Sequence, residues 1–257
     1  MSKLEVREWG EPGAPRVVFL HGVTSHGNHA RLLAEDWLAE RFHVLAPDLL
    51  GHGSSPYDPP WDIDAQLEAV LASVGPEEAA WIGHSYGGRL ALELAARRPE
   101  LAKRLVLLDP AIRLEPHVAL FAAENARKER TYVTFEEGIE RRYEESQLHG
   151  AERELLEAEL REHLVRSEDG KWRYRYCQAS VVTAYSEMAS EPPPFEAVLI
   201  PTLLVLGEQS YLPYDNLLDA HAAALGNLLE LVRVPGGHTV LWDSLAETAA
   251  AIAAFLD

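Results

Sequence analysis

Short runs rich in Leu, Val and Ile recur along the chain, and longer stretches with apolar residues at helical spacing separate them. The runs predict strands at Leu4–Trp9, Arg16–His21, His43–Pro47, Ala80–Gly83, Arg104–Asp109, Thr202–Leu206 and Leu228–Val234. The intervening periodicity predicts helices over Asn28–Arg41, Ile63–Val74, Tyr86–Arg97, Asp215–Leu225 and Leu245–Leu256. "RVVFL" and "TLLVL" are apolar at every position, as strands covered by helices on both faces must be. Strand–helix alternation of this kind predicts an α/β fold with a mainly parallel sheet and helices on both faces.

The alternation breaks once. Between about Ile112 and Glu196 no strand pattern is found, only charge-rich helical text such as "GAERELLEAELREHLVR", closed by the helix-stopping "SEPPPF". This segment is expected to be a helical cap inserted after strand six. The resulting division is a first part of the core over 1–111, a cap over 112–196 and a second part of the core over 197–257. The acidic run from Glu152 to Glu162 is expected to be a solvated helix face.

Composition narrows the picture a little. A chain of 257 residues with 47% hydrophobic residues can bury one sizeable core. A net charge of −18 disfavours nucleic acid and anionic membrane surfaces as partners. The single cysteine, Cys177, allows no intrachain disulfide and fits a reducing compartment. No stretch has the basic start and apolar run of a signal peptide or the length of a membrane span, so a cytoplasmic location is expected.

The candidate chemistry begins at "AAWIGHSYGG", where a strand turns into a helix through Gly83-His84-Ser85-Tyr86-Gly87. Glycines on both flanks allow a turn tight enough to expose the Ser85 hydroxyl as a nucleophile. A serine needs a base. His238, in "VPGGHTV" between the last strand and the last helix, stands where the chain order serine, acid, histidine puts it. Acyl transfer also needs two preorganised N–H donors for an oxyanion. Tyr86, next after the nucleophile, and Val23, in the "HGV" loop after an early strand, are the candidates. Asp48, Gly51, His52 and Gly53 read as structural turn residues. No metal site is expected, because His21, His26 and His29 have no cysteine or carboxylate partner at ligand spacing. No nucleotide-binding glycine loop follows the first strand, so no cofactor is expected either.

Taken together, "HG", "PDLLGHGSS", "GHSYGG", "LLDP", "PTLLVLGE" and "GGHTV" resemble the α/β-hydrolase fold family, in its serine-nucleophile branch with a helical cap. The resemblance covers residues 16 to about 110 and about 200 to 257. It implies an acid about three residues after Gly207, where this chain has Ser210. Glu208, Asp215 and Asp109 are the replacements. Asp109 is favoured, because some branches carry their acid at the end of the preceding strand and ligand-facing groups gather at the carboxyl ends of such sheets. Asp243 reads as a cap of the last helix.

The resemblance further implies a serine hydrolase of carboxylic esters. The expected substrates are small molecules with small to medium apolar acyl or aryl groups, cleaved by a Ser85–His238–Asp109 triad. Two alternatives stay open: a carbon–carbon bond hydrolase of aromatic ring-cleavage products, and a binding or receptor protein with a silent triad. Branches that use a carboxylate nucleophile, such as haloalkane dehalogenases, do not match. Arg89 is either a carboxylate-binding group of the carbon–carbon reading or an ordinary helix-surface arginine, the second being favoured. Trp172, Tyr174, Tyr176 and Tyr185 of the cap are candidates for the wall above Ser85.

Overall fold

A computed structural model describes residues 3–145, 147–212 and 214–257. Every expected strand of the core forms: β1 (Val6–Trp9), β2 (Arg16–Leu20), β3 (His43–Pro47), β4 (Ala79–His84) and β5 (Ala102–Leu108) precede the insertion. The insertion holds β6 (Leu164–Arg166) and β7 (Trp172–Tyr174), and β8 (Thr202–Gly207) and β9 (Leu229–Val234) follow it. The core is a 7-stranded sheet in the order β1-β3-β2-β4-β5-β8-β9. Only β1 runs antiparallel, against β3; the other neighbours are parallel.

Alternate residues of the central strands feed two separate cores. Val18, Leu20, Leu105, Leu107 and Leu204 pack under helices Ile63–Val74, Tyr86–Arg97 and Asp215–Leu225. Val17, Phe19, Val106, Leu108 and Val205 pack on the opposite face, under Leu33 and Leu38 and under helix Leu245–Leu256. This two-sided burial is why those strands read as continuous apolar runs. The expected helix over 28–41 is helical but broken, passing from a 3₁₀ turn at Gly27–Ala30 to a wide π turn at Ala34–Leu38.

Two expectations are corrected. The insertion follows β5, the fifth strand of the chain and not the sixth. It also contains a β-hairpin, in which Leu164 pairs with Tyr174 and Arg166 with Trp172. Each hairpin strand is three residues long, too short to show a period of two, and "LVR" continues the charged text of the preceding helix. The helices of the insertion, the expected cap, are Pro116–Ala126, Phe135–Glu145, Arg153–His163 and Gln178–Ala189. Tyr132, Ile139, Leu156, Leu160, Leu164 and Tyr174 form a small core of their own, whereas Ala184 and Met188 join the main one.

Arg89 departs from both of its expected roles. It is buried at 1% exposure and pairs with Glu93 at 2.9 Å. Its guanidinium also donates to the carbonyls of Ile112, Ser190 and Glu191, so it ties both ends of the insertion to helix Tyr86–Arg97.

Sheet register positions the site. His84 aligns with Leu108, and Leu108 with Val205. Ser85 and Asp109 therefore leave neighbouring strands at the same level, at the carboxyl edge where ligands bind in such sheets.

Candidate active site

Ser85 has φ 55° and ψ −119°, a conformation that a non-glycine residue adopts only under strain. Its neighbours make room for it. A Cβ at Gly87 would lie 2.0 Å from the Leu20 carbonyl oxygen, and one at Gly83 would lie 2.3 Å from the Gly87 oxygen. Gly22 comes as close to Ser85 itself, since a Cβ there would meet Ser85 Cβ at 2.9 Å. The Ser85 carbonyl accepts from Gly88 and Arg89, opening the helix, while the Tyr86 amide is engaged by neither backbone nor side chain among the described residues. The Val23 amide is likewise free of partners among the described residues. Helix Tyr86–Arg97 directs its positive end toward this corner.

His238 lies in the loop after β9 and is 8% exposed. Its Nδ1 donates to Asp109 Oδ2 at 2.6 Å, which leaves Nε2 without a proton. His84 Nε2 donates to the His238 carbonyl at 3.0 Å, and the two rings lie 4.8 Å apart. Asp109, just past β5, is 2% exposed and sits at φ 40°. Its Oδ1 accepts from the Gly207 amide at 3.1 Å, and its Oδ2 also accepts from the Ser210 hydroxyl at 2.5 Å. The other candidate acids lie elsewhere. Glu208 is exposed, and Asp215 is exposed and paired with Arg233. Asp243 does not act as a helix cap. Its carboxylate accepts from the amides of Gly237, His149 and Gly150, so it pins the histidine loop to the cap.

Buried histidines build the loop that carries Val23. The Leu49 amide donates to His21 Nε2, so His21 Nδ1 carries the proton and donates to the Gly22 carbonyl. The Thr24 amide donates to His52 Nε2, which fixes His52 in the same tautomer, with Nδ1 donating to the Leu50 carbonyl. Burial lowers both imidazoles to a pKa of about 3, so both rings are neutral. His52 is thus structural, as expected, and so is Asp48, whose carboxylate accepts from Gly27 and Ser54.

Thr24 itself is held at φ 60° by the cap. His163 Nε2 donates to its carbonyl at 2.9 Å, and Arg142 donates to its hydroxyl at 3.1 Å. A second contact between cap and core is buried beside it. Glu159, expected on a solvated face, is 8% exposed and accepts from His29 Nδ1 and from Trp242 Nε1. His26 stacks on His163 at 4.4 Å, and burial holds both rings well below the usual histidine pKa. Sequence reading missed Arg142, Glu159 and His163. The sequence signal for Glu159 and His163 is an apolar neighbourhood (Leu156, Leu160, Leu164) inside charged text, and Arg142, in helix Phe135–Glu145, has none of that kind. Among the described residues no group of three or more His, Cys, Asp or Glu side chains is arranged to hold a metal.

Ser85, His238 and Val23 open into a cavity of about 790 Å³ between core and cap. Leu114, Val118, Phe121, Met188, Leu212 and Leu217 give it an apolar wall, and Tyr176 and Tyr185 line it as anticipated. Trp172 and Tyr174 do not line it; they pack in the core of the cap. Among the described residues no helix is long and apolar enough to cross a membrane.

Comparison with known proteins follows the same lines. A family model described as "Alpha/beta hydrolase family" matches residues 17–252. Lipase LipV of Mycobacterium tuberculosis is 35% identical over 256 residues, covering 97% of this chain and 96% of that protein. A 2-hydroxymuconate semialdehyde hydrolase from a Pseudomonas species is 40% identical, but over 95 residues only, 35% of this chain and 33% of that protein. The crystal structure of E-2-(acetamidomethylene)succinate hydrolase superposes with a TM-score of 0.86 at 24% identity, covering 99% of this chain and 95% of that one.

Proposed function

Since the chain belongs to the α/β-hydrolase family, we propose that it is a carboxylic ester hydrolase working through an acyl-enzyme, with Ser85 as nucleophile, His238 as base and Asp109 as acid. The observation that carries this reading is the buried 2.6 Å bond from His238 Nδ1 to Asp109 Oδ2. It fixes the imidazole tautomer whose free nitrogen can take a proton from Ser85. Ser85 and His238 line the same cavity, so the serine hydroxyl can turn toward that nitrogen when substrate arrives.

Ser85 Oγ attacks the ester carbonyl as its proton passes to His238 Nε2. The developing oxyanion is received by the amides of Val23 and Tyr86. The tetrahedral intermediate collapses, and His238 returns the proton to the departing alcohol. Water, activated by the same nitrogen, then attacks the acyl-enzyme and releases the acid with Ser85 restored. No cofactor enters this scheme. The cap, 112–196, supplies much of the pocket wall, and the apolar lining suits esters with apolar acyl or aryl groups. The full-length similarity to a lipase supports the ester reading.

Carbon–carbon hydrolysis is the second reading, favoured by the similarity to the semialdehyde hydrolase. Arg89, the arginine that reading singled out, is committed to Glu93 and to the carbonyls at the ends of the insertion and does not line the cavity, so a substrate carboxylate would have to be received by Arg113, Arg130 or Arg142, which do. Hydrolysis of p-nitrophenyl butyrate by the native chain, Ser85→Ala and Asp109→Asn tests the proposal. Turnover that is abolished in the first variant and falls by about 10⁴ in the second is expected. Absence of turnover in the native chain, with no labelling by a fluorophosphonate, refutes it and leaves a silent binding protein.

A further inference from the structure

Ser210 stands where the family resemblance implies the acid, and its surroundings set it apart from an ordinary turn residue. The Leu212 amide donates to Ser210 Oγ at 3.1 Å, which occupies a lone pair and leaves the hydroxyl hydrogen for another acceptor. That acceptor is Asp109 Oδ2, 2.5 Å away, the oxygen that also receives His238 Nδ1. With the Gly207 amide on Oδ1, the carboxylate has donors on both oxygens. Rotation about Cβ–Cγ breaks the bonds on both of them. Asp109 needs such restraint, since it sits at φ 40° at the end of a strand.

The same turn is tied to the loop of the base. The Gln209 amide donates to the Gly236 carbonyl at 2.9 Å, and the Gly236 amide donates back to Gln209 Oε1 at 2.6 Å. Ser210 itself does not line the cavity, although Tyr211 and Leu212 after it do. A serine serving only its own turn would accept from the Leu212 amide and give its hydroxyl hydrogen to solvent or to a nearby carbonyl, whereas Ser210 gives it to a buried carboxylate.

We infer that Ser210 is a positioning residue of the active site: its hydroxyl fixes the plane of the Asp109 carboxylate, and so the imidazole of His238, while Asp109 supplies the charge. This rests on the triad reading above. The loop after β8, which would otherwise provide the acid, provides a hydrogen-bond donor to an acid on the neighbouring strand.

The test is steady-state kinetics on p-nitrophenyl butyrate for the native chain, Ser210→Ala, Ser210→Thr, Asp109→Asn and the double variant Ser210→Ala/Asp109→Asn. A hydrogen bond to a charged group predicts that Ser210→Ala lowers kcat by about tenfold, with KM within about twofold of native because the side chain lies outside the cavity. Ser210→Thr, which keeps the hydroxyl, recovers most of that loss. The double variant is no slower than Asp109→Asn alone, because a residue that acts through Asp109 has nothing left to act on. The inference is overturned if Ser210→Ala turns over like the native chain while Asp109→Asn collapses. It is equally overturned if the two losses multiply, since Ser210 then serves only to fold its loop. Full activity in Asp109→Asn removes the triad acid, and this inference falls with it.

Discussion

Acid should unfold this protein through its buried histidines. His21 and His52 are both fully buried and held at a pKa of about 3, mainly by desolvation. In the unfolded chain each returns to about 6.5. A folded pKa below the unfolded one means that the unfolded state binds the proton first, so stability is complete above pH 6.5 and drains away as the pH falls toward 3. Between pH 7.5 and 5 each ring removes about 2 kcal/mol, and the pair about 4 kcal/mol, against a typical total of about 5–15 kcal/mol. Burial shifts His26, His84 and His163 in the same direction, which steepens the loss. Urea denaturation followed by tryptophan fluorescence at pH 7.5, 6.5, 5.5 and 5.0 measures this directly. From these two rings alone the slope should be about 2 kcal/mol per pH unit at pH 6 and approach about 2.7 kcal/mol per pH unit at pH 5, where unfolding takes up nearly two protons. A slope of about 1 kcal/mol per pH unit or less refutes it, and shows that water reaches these rings in the folded state. Because His21 and His52 hold the Gly22–Thr24 loop, activity should fail at the pH where the fold loosens.

The other predictions concern the site's geometry. Gly87→Ala places a methyl group 2.0 Å from the Leu20 carbonyl oxygen; a cost of about 3 kcal/mol is expected, seen as a melting point lower by roughly 10 °C, with activity lost as the elbow moves. Arg142→Met removes the donor to Thr24 Oγ1; kcat should fall about fivefold, for about 1 kcal/mol, with little change in melting point. Glu208→Gln and Asp215→Asn should each stay within about threefold of native kcat/KM in the same ester assay, since both carboxylates are exposed.

The fold was legible because its core strands are buried on both faces. That forces continuous apolar runs such as Val17–Leu20 and Leu203–Leu206, which no surface element needs. The elbow was legible for a steric reason, since Gly83 and Gly87 have no room for a side chain. The cap was not legible in the same way. Its hairpin strands are three residues each, and the side chains that tie it to the core are charged residues that in sequence look like any solvated helix. Glu159 is surrounded by glutamates and arginines in the chain, and only the docking of helix Arg153–His163 against His29 and Trp242 buries it. Arg89 was misread for the same reason: a charge at a helical position says nothing of the carbonyls of Ile112 and Ser190 that another segment brings to it.

The proposed position of the acid illustrates what sequence spacing leaves undetermined. β5 and β8 are neighbours, and Leu108 pairs with Val205, so the residues that follow the two strands emerge side by side at the edge that carries Ser85. A carboxylate from either loop therefore has the same histidine within reach, and counting residues from the nucleophile cannot choose between them. The choice is made by what surrounds each site. At Asp109 the Gly207 amide, the Ser210 hydroxyl and His238 Nδ1 converge on one buried carboxylate, so its charge is hydrogen-bonded as a buried charge must be. At Glu208 and Asp215 the side chains face solvent, where a carboxylate is stable without partners and has no reason to turn inward. The two loops thus meet on one group: Asp109 follows β5, and the Gly207 amide and the Ser210 hydroxyl at the end of β8 donate to its carboxylate.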